Sequence, residues 1–293
     1  MPVAAAKFPP NAFLSDVRCY DIGPDGIHGT DGILGTSESP LDSLAVQAVA
    51  SGNPELVIEP TNSSRPFRAA IAIPIHRDGS VVSVVVLAAA SGDKSTGVFE
   101  IWSPIGEYYE LSLSKGYFGP LNRFENVSSF VRFEKGSGLP GQVWDKLAPV
   151  IQDELADHRG FLRAAGASAD ALGTAIGIPV VASEYIATVL LISSPTTPIA
   201  RGFEVWNVEA DGFKLEFAAY ASDDIRLELG TKLSVTSGLL GRVLGSGVAM
   251  LSDDESMLLA GRGVRTGSGA INSGVAIPFY QADAITSITV LLI

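Results

Sequence analysis

Gly136-Ser137-Gly138-Leu139-Pro140-Gly141 has the Gly-x-Gly-x-x-Gly spacing of a dinucleotide-binding loop, set between a β-rich run and a helical one. In such a loop the glycines let the backbone close on a pyrophosphate at a helix N-terminus. The chain carries its own control. At 238 − 138 = 100 residues further on stands Thr236-Ser237-Gly238-Leu239-Leu240-Gly241, which lacks the first glycine. No parallel βαβ pattern surrounds either copy, so the glycines are expected to serve a tight strand-to-helix turn and close packing.

The other residues with chemical potential are scattered. His28, His76 and His158 have no partner at metal-ligand spacing. Asp153 and Asp253 end equivalent β-rich runs, where a carboxylate either accepts hydrogen bonds from a ligand or caps the following helix. Arg163 and Arg262, with Arg265 just beyond, sit in segments rich in Gly and Ala. There a guanidinium either clamps an anionic ligand or lies in solvent. Trp102, Trp144 and Trp206 are expected to face a core, with an aromatic pocket wall as the alternative. No Ser-His-Asp spacing, Gly-x-Ser-x-Gly elbow or pair of acids outside turns is present, so the chain is expected to be noncatalytic.

The elements that must position these residues repeat. Phe99-Glu100-Ile101-Trp102 returns as Phe203-Glu204-Val205-Trp206, at 203 − 99 = 104 residues. Ile178-Pro179-Val180 returns as Ile277-Pro278-Phe279, and Ala72-Ile73-Pro74-Ile75 precedes it by 179 − 74 = 105 residues. Self-similarity at one period sets the fold unit. We read three: 1–96, 97–196 and 197–293, the first eroded, without Gly-Leu-x-Gly and with most of its third strand missing.

In the second unit two β-rich runs flank Pro104-Ile105-Gly106, a hairpin signal. A third strand over 129–134 leads to the glycine turn and to a helix carrying Leu139, Val143 and Leu147. A short strand ending at Asp153, an irregular or helical segment over 157–173, and two closing strands complete the unit. The third unit repeats this plan, with a less regular third strand over 226–235. In the first, Val17 to Asp21 and Gly26 to Leu34 form the hairpin and Leu41 to Ser51 the helix.

Composition narrows the function. A net charge of −12 without a basic cluster argues against nucleic acid and anionic membranes as partners. The longest apolar runs, such as Val84 to Ala90, have strand length, and no secretory signal is visible in Met1 to Pro10. A lone cysteine, Cys19, excludes an internal disulfide and fits a reducing compartment, so a cytoplasmic location is expected.

The order of hairpin, strand, Gly-Leu-x-Gly, helix, Asp-ended strand, variable segment, Ile-Pro and closing strand resembles the GAF domain family. Gly138, Gly141, Pro149, Asp153, Thr174 and Pro179 carry the likeness in the second unit, and Gly238, Gly241, Asp253, Ser273 and Pro278 in the third. The resemblance implies an α+β fold of three consecutive GAF/PAS-like units. Each would be an antiparallel sheet with short helices and a pocket between sheet and variable segment. Linkers of about ten residues leave no room for the family's long flanking helices, and no output domain is visible in the sequence.

The resemblance implies a small-molecule sensor or binding module, with a protein partner or homo-oligomer as further possibilities. A scaffold with filled pockets is the alternative. Trp144, Asp153, His158, Phe161, Arg163, Asp253, Arg262 and Arg265 are the candidate ligand-binding residues, and the second unit is the expected binder. His158 stands where some relatives ligate haem, but Asp157 and Arg159 beside it suit a solvated helix start. Cys19, in the first hairpin, is not placed like the bilin-attaching cysteine of relatives. A single thiol also lacks the partner that a GAF-like sulfoxide reductase needs. The Asn-Lys-x-Phe-Asp-Glu motif of cyclic-nucleotide GAF domains is absent. The cofactor therefore stays unknown.

Overall fold

The closing strands of every unit are nearly unbroken apolar runs, a pattern that alternation on a single buried face does not produce and that burial on both faces does. In a computed structural model that describes residues 8, 12–29, 32–34, 39–60, 63–91, 96–106, 109–263 and 271–293, both faces of these strands are covered. One face meets helices of its own unit. The other meets the sheets of the other two.

The first unit runs β1 (Leu14–Gly23), β2 (Gly26–Gly29), β3 (Gly32–Ile33), α1 (Pro40–Ser51), β4 (Glu55–Ile58), β5 (Phe67–Arg77) and β6 (Ser80–Ala90). The second runs β7 (Gly97–Ile105), β8 (Glu110–Tyr117), α2 (Asn122–Phe130), β9 (Phe133–Glu134), α3 (Gly138–Lys146), β10 (Val150–Gln152), α4 (Ala164–Ala169), β11 (Thr174–Val181) and β12 (Tyr185–Ser193). The third runs β13 (Gly202–Glu209), β14 (Gly212–Tyr220), a single 3-10 turn (Asp223–Ile225), β15 (Lys232–Ser234), α5 (Gly238–Ser246), β16 (Met250–Ser252), α6 (Glu255–Leu258), β17 (Gly274–Gln281) and β18 (Ala284–Leu292).

All three sheets are six-stranded and share one order: β3-β2-β1-β6-β5-β4, β9-β8-β7-β12-β11-β10 and β15-β14-β13-β18-β17-β16. Every pairing among the described residues is antiparallel. The chain is thus mostly β, three consecutive GAF-like units with few and short helices. The longest described helix, α1, has 12 residues. The first unit is less eroded than its sequence suggests, since its two-residue β3 is as long as β9.

Two expected strands are corrected. Ser129 and Phe130 belong to α2, leaving only Phe133–Glu134 as the third strand, and of 226–235 only Lys232–Ser234 pairs with β14. Helix α2 carries Phe124 and Ser128 on its buried side, while Val127 and Phe130 are exposed, so it has no full apolar stripe to read.

The repeated proline explains the inner face. Pro74, Pro179 and Pro278 each stand two residues past the last residue paired with the short edge strand, Ala72, Gly177 and Ala276. A residue without an N–H is tolerated where no further ladder bond is made on that side. Just beyond it each closing hairpin has a register shift, at Ile75/His76, Val180/Val181 and Phe279/Tyr280. Such irregularities bend and twist a strand, and here the three hairpins converge. The three prolines share one cavity of about 20 Å³, room for about one water.

Around this line the units close into a ring. β4 packs on β8, β10 packs on β13 and β14, and β16 returns to β1. Lys115 donates to Glu55 at the first junction, at 2.6 Å. At the second, the Lys146 ammonium lies 5.1 Å from the centre of the Phe217 ring. At the third, the Ala249 N–H donates to Ser83 Oγ at 3.2 Å. One apolar core runs down the middle, with Ile73 and Val85, Ile178 and Val189, and Ile277 and Leu291 contributed by successive units. Each unit keeps a second core under its own helices.

Candidate functional site

In a GAF-like unit the expected pocket lies between the outer face of the sheet and the variable segment. In the second unit that space begins at Glu100 on β7, a carboxylate inside an apolar strand with no exposure at all. Arg163, at the start of α4, reaches it with both terminal nitrogens, Nη2 donating to Oε2 at 2.9 Å and Nη1 to Oε1. Trp102, two residues along β7, donates its indole N–H to Oε2 at 2.8 Å, and Ser128 Oγ on α2 accepts from Arg163. The guanidinium carbon sits 4.6 to 5.7 Å from the ring centres of Phe124, Trp102, Phe161 and Phe133. A cation so enclosed is held by one bidentate carboxylate and four aromatic faces.

The third unit repeats the design. Arg262 donates from Nη1 and Nη2 to the two oxygens of Glu204, both at 2.6 Å, and from Nε to the Leu258 carbonyl at 2.8 Å. The Trp206 indole and the Tyr220 hydroxyl complete the shell of Glu204, at 2.8 and 2.6 Å. Burial, followed by the Glu204 charge, raises the Tyr220 pKa, which keeps the phenol a donor. The space left beneath this segment is about 20 Å³.

In the first unit the same place is occupied with reversed sign. Tyr20, Trp102 and Trp206 each pair with the residue that also faces the proline: Val84, Thr188 and Ile288. Two residues earlier stand Arg18, Glu100 and Glu204. Eight residues, 59–66, separate β4 from β5, against 21 between β10 and β11 and 21 between β16 and β17, and the counter-charge comes from α1. Asp42 Oδ1 accepts from Arg18 Nη1 at 3.0 Å and from the Tyr20 hydroxyl at 2.6 Å. Helix α1 places Asp42 there because Pro40 opens it and Gly52, at φ 66°, ends it.

The remaining candidates are dispersed. Phe161 is buried against Phe124 with the rings nearly parallel. His158 is half-buried, and its Nδ1 accepts from the Gly160 N–H at 3.1 Å. Asp153 is exposed and accepts from the Thr174 hydroxyl. The helix-capping acid is Asp254, not Asp253: its Oδ1 accepts from the Ser256 N–H at 2.9 Å at the start of α6. Trp102 and Trp206 lie in the core. Trp144 does not; it is half-buried between the rings of Tyr185 and Tyr109, at 5.3 and 6.3 Å. Arg265 lies outside the described residues. Neither reading of the arginines anticipated their partner, since Arg163 and Arg262 are spent on carboxylates of their own unit and do not face solvent.

The glycines do what turn geometry requires. Gly138 and Gly238 have φ of 60° and 47°. A Cβ on Gly141 would stand 2.1 Å from the Glu134 carbonyl oxygen, so this loop is filled by its own strand. Half-buried Cys19 packs against the central core, and burial with the nearby Asp21 charge raises its thiol pKa. Among the described residues no group of three or more His, Cys, Asp and Glu is arranged to hold a metal, and no helix is long and apolar enough to cross a membrane.

No family model and no curated protein matches the chain. Solved structures similar to parts of it include the nlh2 GAF domain of A. aeolicus in an inactive state, at 20% identity over 33% of this chain and 57% of that one, with a TM-score of 0.27. The free methionine-R-sulfoxide reductase of Neisseria meningitidis, solved with its substrate, is 20% identical over 35% of this chain and 53% of that one, with a TM-score of 0.27. An NreA protein of Staphylococcus aureus mutated in its nitrate binding site is 12% identical over 35% and 77%, with a TM-score of 0.29. The chain thus spans little more than half of the first two. Its GAF-like character rests on its own strand order and on the helix that follows each Gly-Leu-x-Gly turn.

Proposed function

We propose that this chain is a noncatalytic binding module whose three units act as one body, with the pocket inside each unit closed by its own side chains. The observation that carries this reading is the pair of buried Glu–Arg clusters, Glu100 with Arg163 and Glu204 with Arg262, in the space a ligand would need. Opening either cluster would strand a carboxylate in an apolar interior, at a cost of several kcal/mol. Binding then falls to surfaces that the units build together. The short junctions and shared core favour a rigid arrangement of those surfaces.

Native mass spectrometry with hydrogen exchange on protein purified from its own host tests this. The expected result is that no co-purified small molecule protects residues 155–172 or 255–263. A retained molecule that protects either segment would overturn the closed-pocket reading and restore a ligand sensor inside the unit.

A further inference from the structure

Where the three closing hairpins converge, their tips surround a bowl of about 820 Å³, far larger than the space left inside the third unit. The tips are close neighbours. A Cβ on Gly79 of the first unit would lie 4.0 Å from the Ser183 nitrogen of the second, and Arg77 pairs with Asp283 of the third.

Its walls differ in chemistry. The first unit contributes acceptors. Asp78 stands beside Arg77, whose guanidinium pairs with Asp283 and also feels the Asp78 charge, and the Asp78 carboxylate makes no hydrogen bond among the described residues. Behind it His76, 7% exposed, has its Nδ1 unpartnered. The second unit contributes a cation: Lys146 has no carboxylate partner among the described residues, only the Phe217 ring. The third contributes an apolar wall, Phe279 and Tyr280, with the Tyr280 hydroxyl already donating to the Gly247 carbonyl at 2.6 Å. Asp78, Leu147 and Ala282, one from each unit and all lining the bowl, have φ of 49°, 47° and 53°. Asp78 and Ala282 take this left-handed backbone as turn residues of the β5–β6 and β17–β18 hairpins, and Leu147 as the C-cap of α3. The volume falls within the range of small-molecule sites, and the lining offers polar and apolar surface in nearly equal measure.

We propose that this bowl binds a small zwitterion with an apolar body, a free amino acid or short peptide, its carboxylate on Lys146, its ammonium on Asp78 and its apolar part on Phe279. The inference rests on the proposed function, in that the binding surface is one the units build jointly.

The test uses the full chain with L-phenylalanine and trileucine, each beside its N-acetylated and its C-amidated form. Binding is followed by saturation-transfer NMR and located by hydrogen exchange. Protection is expected at 76–80, 181–184 and 279–283, and either modification should weaken binding about tenfold, the loss of one charge-assisted contact. Lys146→Gln should weaken the parent compounds to the same extent and leave the C-amidated forms unaffected, with an unchanged melting temperature showing that the variant folds. No binding by either parent compound at millimolar concentration, or equal binding by all three forms, would overturn the inference and leave the closed-pocket reading standing. Protection at 155–172 instead would overturn both.

Discussion

The first unit and the second solve the same packing problem with opposite charges. In the second, a strand carboxylate, Glu100, meets an arginine delivered by the segment between β10 and α4, and neither side chain has more than 1% exposure. In the first, the strand supplies Arg18 and the helix supplies Asp42, with side chains 29% and 12% exposed. An aromatic hydrogen-bond donor two residues along the strand serves the carboxylate in both, Trp102 in one and Tyr20 in the other. The position demands a pair and a donor, and the covering element decides which sign stands on the strand. Where a long segment crosses the sheet, the pair is sealed; where only a helix does, water reaches it.

This difference in sealing can be measured. Arg163→Ala should be the most damaging change, lowering unfolding free energy by about 3–5 kcal/mol, because Glu100 is left charged in an apolar interior with only the Trp102 indole as a donor. Urea unfolding followed by tryptophan fluorescence reads it. Asp42→Ala in the first unit should cost less, about 1–2 kcal/mol, since water can solvate Arg18 in place of the lost carboxylate. Equal losses would show that exposure does not separate the two sites. Replacing both partners, Glu100→Leu with Arg163→Met, should recover more than half of the single-variant loss, because no buried charge remains. The Trp102 indole, then without its acceptor, should keep that recovery incomplete.

The smallest expected effect is a pH dependence at the hairpin end. Burial holds His76 below its ordinary pKa, against a hydrogen bond to the Gly52 backbone. A histidine whose folded pKa is depressed binds a proton more readily when unfolded. Its contribution to stability is therefore present above the unfolded value, near 6.5, and is lost as pH falls below it. Melting curves of His76→Asn and the parent protein should diverge least near pH 5 and most at neutral pH. A difference between them that does not change with pH would remove His76 from this account.

Much of the architecture was legible because repetition acts as a check on every motif. The Ile-Pro signal marked equivalent places in all three units, and the second Gly-Leu-x-Gly ruled out a dinucleotide loop. The ring was not legible. A strand buried on both faces reads the same whether its neighbours are helices or other sheets, so the apolar runs of β5, β11 and β17 concealed a shared core. Glu100 was visible as the second residue of the repeated tetrapeptide, and a charge recurring inside an apolar strand was the available clue. Its partner stands 63 residues away, a separation no local pattern encodes. Arg18 was harder still, because the sign change removed the identity that would have aligned it with Glu100 and Glu204.

The ring closure through β16 and β1 also sets an order of events at the ribosome. Translation delivers the first two units before Leu291 and Ile293, so the part of the central core that the third unit covers is open until then. Until they arrive, the nascent chain presents an apolar surface of the kind that recruits chaperones or sticks to a neighbouring copy. A pause in synthesis between β12 and β18 leaves that apolar surface open for its whole duration.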